Sequence, residues 1–302
     1  MMNIRQELIA TGYSVGWKIL KILPHAVVTR IFEFGADRVS HSGKGMEQLR
    51  KNLQRVVGPE HVTRQLVQDS MRSYARYWAE AFRLQNLIQD PALYTSIERQ
   101  SHGLEHLDTA YAKGNGVVIV LTHSGNWDMA GYFLTQRIGS FVTVAERLEP
   151  TRIFDAFVKF RTSLGFKVYP HKDEHGHSPF PKLREALQRG EVVCLLGERD
   201  LTGKGMEVEF FSETTTMPIG AVKLAQDTGA TLLVAHTWFT GTSRSPGWAL
   251  EVSAPLEVTT IQATLQQQAM IMQRNIAQHP TDWHVLQPLW IADRPTRGPK
   301  QS

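Results

Sequence analysis

His123 and Asp128 stand five positions apart, just past a short apolar run, Val117–Leu121. That run is rich in β-branched residues, too short for a globular helix, and bounded by Gly116 and Thr122, which predicts a strand covered on both faces. His123 then falls just beyond the strand's carboxyl end, where open α/β sheets bind their ligands. An imidazole there is a general base near neutral pH when a carboxylate fixes its tautomer and stabilises the imidazolium that forms. Asp128, one turn into a helix expected through Trp127, Met129 and Ala130, is one candidate for that carboxylate. The plainer reading is a polar loop whose histidine is a satisfied surface or capping residue.

Two more strand ends carry charge. Phe141–Ala145 is followed by Glu146 and Arg147, and Val192–Leu196 by Gly197, Glu198, Arg199 and Asp200. Charge beside a buried strand is costly unless paired or used, so three such ends on one parallel sheet favour the chemical reading. Glu198 beside His123 would complete a base-and-orienter unit of the kind acyl transfer uses. The spacing leaves open whether Glu198 or Asp128 orients the histidine. Arg161 and Arg199 are candidates to stabilise an oxyanion or to bind phosphate. Gly203–Lys204–Gly205 offers flexible amides and the Lys204 ammonium, either as a phosphate contact or as an ordinary hairpin turn. No covalent nucleophile is expected: Ser124 would point away from a strand-end imidazole, and the single cysteine, Cys194, lies in an apolar strand where a thiol stays inert.

Those residues need a scaffold. Short apolar strands at Val117–Leu121, Phe141–Ala145, Lys167–Tyr169, Val192–Leu196, Thr231–Phe239 and Trp248–Val252 alternate with helical stretches. This pattern predicts an α/β fold, a mostly parallel central sheet with helices on both faces. One helix is expected from about Pro218 to Asp227, with Thr216 as a possible cap and Gly229 past its end, and another near Thr264–Gln278. Residues 1–95 form a helical N-terminal region broken at Pro24, Ser42–Gly45, Gly58–Pro59 and Asp90–Pro91, and residues 96–302 form the α/β core, the whole expected as one structural domain. The polar tail from Asp293 is expected to be disordered.

Composition narrows the classes. The chain has 302 residues and 42% hydrophobic content, enough for an ordinary core. One cysteine excludes a disulfide framework and suits a reducing compartment. His171, Asp173, Glu174, His175 and His177 crowd one loop, but the neighbouring Pro170, Gly176, Pro179 and Pro181 exclude a regular helix there, so an exposed loop beside the site is expected rather than a metal centre. A net charge of +4 does not call for nucleic acid. No signal peptide and no spanning segment are expected. Leu8, Val15, Trp17, Ile19, Leu20, Ile22 and Leu23, broken by Lys18 and Lys21, continue past Pro24 as Val27, Val28, Ile31, Phe32 and Phe34 beside Arg30 and Arg38. That pattern suits either an amphipathic helix lying on anionic lipid or one packed on its own sheet. Arg72, Arg76 and Arg83, interleaved with Tyr74, Tyr77, Trp78 and Phe82, read as a stripe that is half core and half solvated charge, or as a face for phosphate head groups.

HSGNWD is similar to the H-x4-D motif of the glycerolipid acyltransferase superfamily, which includes the lipid A late acyltransferases. HSGNWDMAG (123–131), TVAERL (143–148), SLGF (163–166), ERDL (198–201), MPIG (217–220) and DWHVLQPLW (282–290), in that order, resemble the phosphatidylinositol mannoside acyltransferases, as does YARYWAEAFRL (74–84). The bare motif is weak; the ordered set is specific. The resemblance implies a glycerolipid acyltransferase-like fold, with the catalytic His and Glu at His123 and Glu198 and the motif's Asp at Asp128. It implies a peripheral enzyme on the cytoplasmic face of the inner membrane, with acyl-CoA as co-substrate and no cofactor, transferring an acyl chain, expected to be palmitoyl, to a mannose hydroxyl of a phosphatidylinositol mannoside glycolipid. Glu146, Arg161, Arg199, Asp200 and Lys204 are then the substrate-binding candidates. Gly197 departs from the pattern, standing where the family carries a bulkier small residue. A lipid A-type acceptor is the nearest alternative, and a non-catalytic lipid-binding protein would explain the N-terminus but not the charged strand ends.

Overall fold

The computed structural model describes residues 16, 17, 19–146, 151–172, 175–242 and 245–294, with the backbone alone for 151–154 and 157. The expectations placed on Leu8, Val15, Lys18, Arg147, Asp173, Glu174 and the chain beyond residue 294 lie outside the described residues.

The strands are β1 (Val117–Leu121), β2 (Phe141–Ala145), β3 (Phe166–Pro170), β4 (Val192–Leu196), β5 (Met206–Phe210), β6 (Glu213–Met217), β7 (Thr231–Gly241) and β8 (Pro246–Val252). Six of them make one sheet in the order β3-β2-β4-β1-β7-β8, parallel throughout except at the β7–β8 edge. This is the mostly parallel α/β sheet expected from the alternation of strands and helices.

The period-2 geometry of a strand sends alternate residues to opposite faces. Val117 and Ile119 of β1 join Phe141, Cys194 and Leu233 beneath the helices Leu93–Gln100, Leu104–Ala112 and Trp127–Ile138. Val118 and Val120 join Val142, Val193 and Leu232 beneath the helices Phe180–Gln188, Gly220–Thr228 and Ile261–Gln278. Both faces of the sheet are therefore buried, which is why its strands read as unbroken apolar runs.

The N-terminal helices His25–Val39, Glu47–Val57, Arg64–Leu87 and Leu93–Gln100 start after the expected breaks. The stripe on Arg64–Leu87 is half core, with Tyr77 and Arg83 buried and Arg72 partly exposed, and its arginines are paired within the protein. Arg72 forms an ion pair with Asp37 (2.7 Å), and Arg83 donates to the carbonyls of Leu20 and Leu23. Arg76 lies 4.1 Å over the Phe239 ring. Trp17 and Lys21 also face inward: the indole donates to the Phe82 carbonyl (3.0 Å) and the ammonium to Gln85 (2.7 Å).

Three expectations change. The helix expected from about Pro218 begins at Gly220 with no side-chain cap, because Thr216 belongs to β6 and donates instead to Asp200 (3.1 Å). The β5–β6 hairpin turns at Phe211–Ser212, not at Gly203–Lys204–Gly205 where the sequence offers a hairpin turn. Its turn puts Phe211 and Ser212 at φ 51° and 60°, values normally supplied by Gly or Asn, so the usual hairpin signal is missing. Asp293 is held by Arg55 (2.6 Å) and Gln48 (3.0 Å), so the ordered chain runs through it.

Glu80 ties three elements together. Its carboxylate is fully buried and accepts from Arg76 Nε (2.7 Å), Asn126 Nδ2 (2.8 Å) and Trp248 Nε1 (2.7 Å). All three partners are donors, so only a group with acceptors at both ends fits. Glu80→Gln turns one end into a donor facing a donor, and is expected to cost about 1.5–3 kcal/mol, measured as a lowered urea midpoint at unchanged slope. A midpoint equal to that of the wild type would refute the clamp.

Candidate active site

β1 ends at Leu121 and the chain turns through Thr122–Asn126 into the helix Trp127–Ile138, whose first turn is capped by Asn126 Oδ1 accepting from the Met129 amide (2.9 Å). The segment Asp282–His284 runs antiparallel to this loop. His284 N donates to the His123 carbonyl (2.7 Å), Gly125 N donates to the Asp282 carbonyl (2.8 Å), and Ser124 bridges Trp283. Gly125 has φ +52°, and a Cβ there would stand 2.7 Å from the Thr237 carbonyl carbon. Only glycine lets the loop lie this close to β7.

β1 and β4 are paired neighbours, and Leu121 matches Leu196 in register. His123 and Glu198 each follow two residues beyond that pair, so the sheet delivers them to one place. His123 Nδ1 lies 3.0 Å from Glu198 Oε2, while Glu198 Oε1 accepts from the backbone amide of His123 and from Trp283 Nε1 (3.3 Å). Glu198 is fully buried. Burial alone would raise its carboxyl, but the charge of His123 and the hydrogen bonds from it outweigh burial and hold it below the ordinary carboxylate range. With Nδ1 turned to the carboxylate, Nε2 is the nitrogen left to act as base.

Asp128 goes elsewhere. Its carboxylate takes Arg161 Nε (2.7 Å) and Nη2 (3.2 Å) and the Tyr77 hydroxyl (3.1 Å). Desolvation opposes the charge on Arg161, but Asp128 outweighs it and raises the guanidinium pKa; burial pushes the Tyr77 hydroxyl well up. Of the two carboxylates in question, Glu198 is therefore the one at the imidazole.

His123, Asp128, Glu146, Arg161, Arg199 and Asp200 all line one cavity of about 550 Å³. Glu146 is exposed at its rim. Asp200 is turned into its own loop, accepting from the amides of Thr202 (3.1 Å), Gly203 (2.9 Å) and Gly205 (2.8 Å). Those amides are thus taken, and Lys204 is exposed on the loop and absent from the cavity wall. A Cβ at Gly197 would stand 2.0 Å from Val120 Cγ1, so the departure at this position matches close packing on β1. Among the described residues no group of three His, Cys, Asp or Glu side chains is placed to hold a metal ion.

His284 lies in the DWHVLQPLW segment, where no residue type or spacing marks it for a role. His284 Nε2 lies 3.0 Å from Ser73 Oγ, which donates to Asp282 Oδ1 (2.6 Å); the cavity touches this imidazole, and burial lowers its pKa to about 3. His236 is buried below the loop, its Nδ1 meeting Thr122 Oγ1 (2.7 Å) and Ser124 Oγ (3.1 Å), and burial lowers its pKa to about 3 as well. Ser124 is fully buried in this network, so it is no nucleophile. Cys194 is likewise buried, which raises its thiol.

The family of bacterial lipid A biosynthesis acyltransferases matches residues 2–292. The chain is 47% identical over 286 residues to a phosphatidylinositol mannoside acyltransferase of Mycobacterium tuberculosis (strain ATCC 25618 / H37Rv), covering 93% of this chain and 88% of the relative. It is 44% identical over 296 residues to a protein of the same name from Mycolicibacterium smegmatis (strain ATCC 700084 / mc(2)155), covering 93% of this chain and 91% of the relative.

The buried neutral histidines make stability depend on pH. Between about pH 6.5, where a free histidine titrates, and about pH 3, the unfolded chain binds protons at His236 and His284 that the folded chain refuses. Stability is therefore full above that window and falls as pH drops through it, by up to about 1.4 kcal/mol per pH unit for each histidine. Asp282, raised by burial, opposes this near its own titration. Urea midpoints taken from pH 7 down to 5 should fall, and His236→Gln should flatten the slope. A midpoint constant with pH would contradict the neutral assignment.

Proposed function

The chain belongs to the bacterial lipid A biosynthesis acyltransferase family, and from that premise we propose that it moves a long acyl chain, palmitoyl, from acyl-CoA to a mannose hydroxyl of a phosphatidylinositol mannoside. The observation that carries this reading is His123 Nδ1 set 3.0 Å from a fully buried Glu198 at the mouth of the cavity. Nε2 removes the proton of the sugar hydroxyl as that oxygen attacks the thioester carbonyl; the carbon–sulfur bond then breaks and the proton passes to the departing thiolate. Glu198 stabilises the imidazolium between those steps. Arg161, fixed by Asp128, and Arg199, which makes no hydrogen bond among the described residues, supply positive charge for the oxyanion or for phosphate.

A long chain is favoured by depth. The lining residues Phe141 and Phe166 lie level in register with Val117, six residues before His123. From Val117 to the strand end at Leu121, where the chain turns toward His123, is about 13 Å of extended chain. It compares with about 15 Å for the acyl chains of one leaflet, half of a bilayer's hydrocarbon core.

Purified protein given palmitoyl-CoA should release thiol faster when a mannosylated phosphatidylinositol is present. No acceleration refutes the acceptor, and transfer to a lipid A precursor instead would replace it. His123→Ala is expected to lose at least about a hundredfold in turnover, read beside its own melting temperature because it leaves the buried Glu198 without its imidazole. Glu198→Gln should cut the rate more deeply than Asp128→Asn, each read beside its own melting temperature; the reverse order would move the orienting role to Asp128.

A substrate that stays in the bilayer requires a membrane-facing surface. Val27, Ile31 and Phe34 sit at helical spacing with Arg30 and Arg38 on the outward side of His25–Val39, and Ile22 and Phe34 are 84% and 67% exposed. An apolar face edged with arginine suits anionic lipid, at about 1 kcal/mol for each cation near the surface. No described helix is long and apolar enough to cross a membrane. Ile22→Ser combined with Phe34→Ser should reduce sedimentation with phosphatidylinositol vesicles while leaving turnover in detergent intact. Sedimentation equal to the wild type would move the membrane contact elsewhere.

A further inference from the structure

Gly131 lies in the interior of the helix Trp127–Ile138, where glycine is worse than alanine by about 1 kcal/mol. Its backbone dihedrals do not require glycine, since its φ is not positive. Space does. A Cβ at this position would stand 2.4 Å from Phe166 Cζ, 2.8 Å from Phe166 Cε2 and 3.1 Å from Phe141 Cζ. The two rings face each other across paired positions of β2 and β3, with centroids 4.6 Å apart.

Those rings sit at the deep end of the cavity. On this face of the sheet its wall is formed at the rim by Leu121, one step lower by Ile119, Cys194 and Thr143, which are level in register, and lowest by Phe141 and Phe166. Above the rings the wall carries Leu121, Ile119, Cys194 and Thr143, and at its lowest level the two aromatic rings lie against a helix position that has no side chain. Resting on the reading that this cavity holds the acyl chain, we propose that Gly131, Phe141 and Phe166 form the stop that sets the acyl chain length. The missing side chain at residue 131 lets the rings stand back from the channel, and the rings end it.

Alanine at residue 131 has to displace the Phe166 ring, the far end of a rotatable side chain, and a ring pushed toward the channel shortens it. Removing the ring deepens it. The test is a donor series from decanoyl-CoA to arachidoyl-CoA with wild type, Gly131→Ala, Phe166→Leu, Phe141→Leu and the double variant Gly131→Ala/Phe166→Leu. Two readouts are taken for each donor: kcat/KM for transfer, and the rise in melting temperature on binding. Gly131→Ala should raise the lauroyl-to-palmitoyl ratio about tenfold, the worth of roughly two methylenes left unburied. Either Phe→Leu variant should raise the stearoyl-to-palmitoyl ratio, and the double variant should return toward the wild-type ranking. An unchanged donor ranking in every variant, with wild type active, overturns the stop and leaves the acyltransferase reading standing. If no acyl-CoA of any length is turned over by the wild type or raises its melting temperature, the acyl reading of the cavity fails and the stop falls with it.

Discussion

A carboxylate with no exposed surface, Glu198, holds His123 by its backbone amide and by its imidazole. Burying an anion is expensive unless its lone pairs are satisfied. Here the His123 amide and the Trp283 indole donate to Oε1 and the imidazole stands at Oε2, and these contacts hold the carboxyl below its ordinary range against the effect of burial. The pairing only forms if the ends of β1 and β4 lie side by side, so the strand order β4-β1 is a condition of the site. The surrounding structure follows from keeping that pair in place and dry.

Several layers do so. Asp282–His284 extends the loop of His123 with backbone hydrogen bonds, in effect adding a strand across the mouth of the sheet. Glu80 fixes Asn126, which caps the helix after the loop, and Ser73 fixes Asp282 and His284. Both anchors belong to the helix Arg64–Leu87, so this N-terminal helix acts as a strut beneath the site. Its arginines are spent on Asp37, Glu80 and backbone carbonyls, which leaves the outward face of His25–Val39 as the apolar and basic surface of the region.

The same loop divides the carboxylates by role. Glu198 meets the imidazole, whereas Asp128, one turn into the helix, neutralises Arg161 and receives Tyr77. Two acids within reach of one base in the sequence thus become one orienting group and one that positions a cation. Asp200 shows the limit of counting charges at strand ends: its carboxylate organises the turn that follows it and the start of the β5–β6 hairpin through Thr216.

The sequence determined the parallel sheet, the positions of most strands and helices, and the arrival of His123 and Glu198 at one rim, because unbroken apolar runs such as Val117–Leu121 and Val192–Leu196 report burial locally and the residues just after them must lie at the same end of the sheet. It could not reveal the β5–β6 hairpin, whose turn residues Phe211 and Ser212 take positive φ without the glycine that would announce it. Nor could it divide Asp128 from Glu198, find Ser73 beside His284, or turn Trp17 and Lys21 inward, since each depends on a partner between 33 and 211 residues away or on a strand order set by packing. Local periodicity records what is buried, and only the tertiary structure decides against which partner.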